Sequence, residues 1–142
     1  MDQNAELLNY IHQNAQMGVV TTGQLKEIAD DKKFLELINR QNEEYKNLNR
    51  EAEHLINKHN YQEKDLNSMA KISVHMNISM KTLTNKSPEH IAEMMIQGST
   101  MGVIEAKKNI KKYQNADPKA VNLAEKLLHT EESNIEHLKS FL

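Results

Sequence analysis

Acids that fall on apolar helical faces are the residues of this chain with the clearest chemical potential. Between residues 31 and 59, Phe34, Leu37, Gln41, Glu44, Leu48, Glu51 and Leu55 recur at alternating steps of three and four, with Ile38, Tyr45, Ala52 and Ile56 widening the stripe. In the last segment Ala124, Leu128, Glu131, Ile135, Leu138 and Leu142 follow the same rhythm. Glu44 and Glu131 thus stand where burial is expected. An unpaired carboxylate there is costly and normally gains a partner or a proton.

Each acid is preceded by a stretch that occurs twice. Gln13-Asn14-Ala15-Gln16-Met17-Gly18-Val19-Val20 returns as Gln97-Gly98-Ser99-Thr100-Met101-Gly102-Val103-Ile104. Aligning Ala29-Asp30 with Ala116-Asp117 superposes Glu44 on Glu131 and Asn47 on Asn134, so the chain reads as two helix-pair halves facing each other. Gly18 and Gly23 each cost roughly 1 kcal/mol of helix propensity relative to Ala, which suggests close approach of a neighbouring helix.

The elements that must position these residues are helices. The chain has 142 residues with few Gly, Pro and aromatic residues and abundant Leu, Ile, Met, Lys, Glu and Gln, a composition that argues for one all-α domain over 1–142. Expected helices run over 3–29, 31–59, 88–114 and 117–142. Asp30-Asp31, Ser87-Pro88-Glu89 and Asp117-Pro118 mark starts, through a capping side chain and, in the last two, a following proline. Residues 60–86 connect the halves; Ile72, Val74, Met76, Ile78 and Met80 alternate at period two, but a helical crossover over 65–84 suits the surroundings better. Lys46, Arg50, Glu53 and Lys58 read as solvated surface.

Several chemistries are excluded. Without cysteine there are no disulfides, thiolate nucleophiles or Cys-ligated metals. A net charge of -2 with Lys and Glu interspersed gives no basic stripe for nucleic acid. The acidic, polar N-terminus and the lack of a long apolar run predict a cytoplasmic protein without a membrane partner. No Gly-rich phosphate loop or Ser-His-Asp order is present, and no nucleophile stands out.

This pattern resembles the ferritin-like superfamily: four helices in two similar pairs, a long crossover, and a polar residue on each first helix preceding a Glu on the second. In its metal-binding members each first helix gives a Glu and each second helix Glu-x-x-His, which converge on two iron or manganese ions. The matching positions here are Gln13, then Glu44 with Asn47, then Gln97, then Glu131 with Asn134. Both outer acids are amides and both imidazoles are Asn. An amide is a poor iron ligand, and two carboxylates do not balance two divalent cations. The resemblance therefore implies an antiparallel four-helix bundle whose metal site has become a Gln/Glu/Asn layer, with Gln amides donating to the two acids. Some bacterial spore-coat proteins are similar in layout. The expected role is a non-catalytic structural or interaction protein with no cofactor, forming a homodimer through an apolar helix face.

The alternative is a redox or storage protein in which Glu44, Glu131 and His54 hold one iron or manganese ion. Glu51-x-x-His54 has the right spacing, yet its counterparts Leu138 and Phe141 add no ligand, and an exposed ion pair is the plainer reading. Glu125, His129, Glu132 and Glu136 line up beside the seam and read as a solvated face with i,i+4 pairs. Met69, Met76, Met80, Met94, Met95 and Met101 could line a ligand cavity, although Met more often fills core space.

Overall fold

In a computed structural model, the structure describes residues 2–61 and 83–142. The chain is all-helical there, in four helices: α1 (Gln3–Ile28), α2 (Lys32–Lys58), α3 (Pro88–Lys112) and α4 (Pro118–Lys139). The expected boundaries agree to within a few residues. The crossover expected over 65–84, with Met69, Met76 and Met80, lies outside the described residues.

Helix starts follow the capping residues. Asp31 accepts from the Phe34 backbone N–H, Ser87 from that of His90 and Asp117 from that of Lys119, with Pro88 and Pro118 in the first turn. Asp2 does the same for α1 by accepting from the Asn4 N–H.

Short connections fold α1 against α2 and α3 against α4. Polar contacts between α1 and α2 run in opposite sequence directions: Asn42 donates to Thr22 Oγ1 (2.8 Å), Asn49 to Gln16 Oε1 (2.8 Å), and His12 meets Glu53 at 3.2 Å. The pair is antiparallel. Glu53 keeps a 43% exposed side chain, as a solvated residue would, while its carboxylate meets the buried imidazole of His12.

The start of α4 lies beside the start of α1. There the Asn115 and Asp117 N–H groups donate to Gln3 Oε1 (3.2 Å) and Asn4 Oδ1 (3.1 Å). The end of α2 reaches the same end of the molecule, where the Asn4 amide donates to the Tyr61 hydroxyl at 3.4 Å. At the other end Ile91 of α3 packs with Leu25, Phe34, Ile38 and Leu138, and the rings of Phe34 and Phe141 stand 4.9 Å apart.

The core divides accordingly. One apolar cluster holds Leu7, Leu8, Ile11, Leu48, Ile56, Leu123 and Leu127; the second is built on Leu25, Phe34, Leu37, Ile38, Ile91 and Leu138. Between them in sequence on every helix lie polar or small residues: Gly18 and Thr22, Gln41 and Asn42, Ser99 and Gly102, Glu131 and Asn134. Except for the two glycines these are all buried.

Candidate functional site

This middle layer is built on two glycines. A Cβ on Gly18 would stand 2.5 Å from ring carbons of Tyr45, and one on Gly102 would stand 3.0 Å from the Glu131 carboxyl carbon. The glycine of each repeated Met-Gly-Val/Ile stretch therefore admits a side chain from the partner helix of its own half. The two admitted side chains meet, as the Tyr45 hydroxyl donates to Glu131 Oε1 at 3.0 Å. Close approach is expected at Gly18 and Gly23 and is found at Gly18; at Gly23 nothing among the described residues lies within 4 Å.

Tyr45, one residue beyond Glu44, occupies in the first half the place that Glu131 holds in the second. One residue turns a helix by about 100°, so sequence alignment of the halves did not align their faces. Glu44 is left half-buried at the edge, 4.0 Å from Arg40. Asn47 is exposed and accepts from Arg50 at 2.9 Å, whereas Asn134 is fully buried. Gln13 is half-buried and Gln97 is exposed, with Ser99 facing inward in its stead. The symmetric layer of two Gln amides donating to two acids is thus not what the helices build. Tyr45 is the donor to Glu131, and sequence reasoning treated it as apolar packing. The signal that could have found it was its position opposite Gly18, where only a missing side chain leaves room for a ring.

His54 is exposed, and Glu51 pairs across the surface with Lys126 at 2.8 Å. His129 stands 3.6 Å from Glu132, both largely exposed. Among the described residues no group of three or more Asp, Glu or His side chains could share a metal ion.

The layer's electrostatics are those of a buried acid. Burial pushes the Glu131 carboxyl up to about 7, with the Tyr45 hydroxyl and Ser99 pulling the other way and Glu44 adding to the rise. Burial likewise raises the Tyr45 and Tyr10 phenols, and the Glu131 charge raises both further. Glu44 is raised by its own burial, against the charges of Arg40 and His137. Hydrogen bonding is incomplete, for Glu131 Oε2, Gln41 Nε2 and both amide atoms of Asn134 are buried without a partner.

Beside the layer, between α1 and α3, is a cavity of about 460 Å³. Met17, Met94, Met95, Met101 and Leu25 give it apolar walls, while Gln13, Gln41, Tyr45 and Glu131 give a polar floor. No family model, curated protein or solved structure matches the chain.

Proposed function

We propose that the protein is a ferritin-like bundle that acts without catalysis, as a structural or interaction protein, with the superfamily's metal layer remodelled into a protonatable one. The observation that carries this reading is the Tyr45–Glu131 hydrogen bond at mid-bundle, in the place where a carboxylate pair would hold metal. A phenol donating to one oxygen of a lone buried acid, together with a proton on that acid, takes the place of the charge a metal ion would supply. The topology supports the family assignment, since α2 ends beside the start of α1 whereas α3 begins among the residues of the opposite end. A homodimer fits the same reading, with Met101 and Ile104 of α3 as exposed apolar residues.

The test is elemental analysis of protein purified without chelator and then incubated anaerobically with ferrous iron or manganese. Metal well below one equivalent is expected, both in the native chain and in Glu131→Gln. Stoichiometric metal that vanishes in Glu131→Gln would overturn the reading in favour of metal-dependent redox or storage chemistry.

A further inference from the structure

The cavity between α1 and α3 brings together features that a packed core does not need. It has the volume of a small-molecule site, and its walls are mostly methionine, a flexible thioether that adapts to flat apolar bodies and contacts aromatic rings favourably. Its buried charge is a single acid, Glu131, with no Lys, Arg or His among the described lining residues, while Glu105 at the exposed rim pairs with Lys108 at 3.9 Å. Two of its polar side chains are buried and incompletely bonded. Glu131 is 4% exposed with Oε2 unpartnered, and Gln41 is 1% exposed with its amide nitrogen unpartnered. Orphaned buried polar atoms are costly, and both residues that carry them line this cavity, so a ligand group reaching them would relieve that cost.

We propose that this cavity binds a small organic amine, its ammonium group paired with the Glu131 carboxylate and its apolar, ring-sized body seated among Met17, Met94, Met95 and Met101. The ammonium supplies a charged donor to the carboxylate at Oε2, which beside Tyr45 has only the weak pull of the Ser99 hydroxyl. The Gln41 amide lines the same cavity, and turned end for end it offers an oxygen where its nitrogen now stands unpartnered. Tyr45 holds the carboxylate through Oε1 and leaves Oε2 for the ligand. Pairing away from water makes the attraction strong and demands a close fit, so the head group sets selectivity while the methionines accept bodies of varied shape. The inference concerns the cavity alone and stands whether or not the bundle is ferritin-like.

The experiment follows the methionine methyl signals by NMR during titration with 2-naphthylmethylamine, 2-naphthylmethanol and naphthalene. The amine is expected to shift the signals of Met17, Met94, Met95 and Met101 saturably and to bind at least about tenfold tighter than the alcohol. Glu131→Gln keeps an acceptor for Tyr45 and is expected to cancel that preference, leaving alcohol affinity within about threefold of the native chain. Glu105→Gln, at an exposed position, is the second variant and is expected to weaken the amine alone, by about threefold or less. The proposal is overturned if the amine shifts none of these signals saturably, if the alcohol binds as tightly, or if the preference survives in a folded Glu131→Gln protein.

Discussion

Glu131 is an acid kept from water by the fold, and its cost depends on pH. Its pKa rises from 4.5 to about 7 on folding, so between these values the native chain holds more protons than the unfolded one. Stability attributable to this group is then greatest below pH 4.5 and falls as pH rises toward 7, by up to about 3 kcal/mol. The groups facing it are Tyr45 and Glu44 of α2, Tyr10 of α1 and Ser99 of α3. Neither phenol titrates in this range, as both are raised above the usual value. Glu131→Gln should therefore be more stable than the native chain at pH 8 by about 2–3 kcal/mol and nearly equal to it at pH 5. Urea denaturation at the two pH values measures the difference, and an equal change at both would show that Glu131 is not the titrating group.

Between helices, glycine sets the spacing. Gly18→Ala would drive a methyl group into the Tyr45 ring, loosening the bond to Glu131 and costing about 1–3 kcal/mol. Gly23→Ala and Gly98→Ala meet nothing within 4 Å and should stabilise by about 0.5–1 kcal/mol through helix propensity. Thermal melts of the three variants should separate them by sign. The helices themselves were legible in the sequence because Asp31, Ser87, Asp117 and the prolines act locally, within one turn. The site was legible in part. The burial of Glu131 could be read from periodicity, Asn134 from the repeat and close approach at Gly18 from its helix cost, but the inward placement of Tyr45 and Ser99 could not. Which of two adjacent residues faces a neighbour depends on how that neighbour is rotated, and a repeat in sequence carries no information on that rotation. Glu44 and Tyr45 differ by that single step.

For the molecule as a whole, the expected homodimer depends on the exposed apolar residues of α3, Met101 at the mouth of the cavity and Ile104 about one turn beyond it. Met101 is 58% exposed and Ile104 41%, and no helix among the described residues is long and apolar enough to cross a membrane. Ile104→Glu should leave the melting temperature within about 2 °C, as surface changes do. It should also convert a dimer to a monomer in sedimentation velocity, and a native chain that is already monomeric would remove the dimer from the proposed role.

The division of the core by a polar layer also limits the ways the helices can be misassembled. Leucine and isoleucine clusters at the two ends are chemically alike, and an apolar seam tolerates sliding by a turn. Glu131 does not, because a one-turn slip of α4 carries the carboxyl away from Tyr45 and Gly102, and on the Leu127 side into hydrocarbon, at a cost of several kcal/mol. A residue that adds little to stability thus acts as an alignment key, excluding the neighbouring registers more strongly than it favours the correct one.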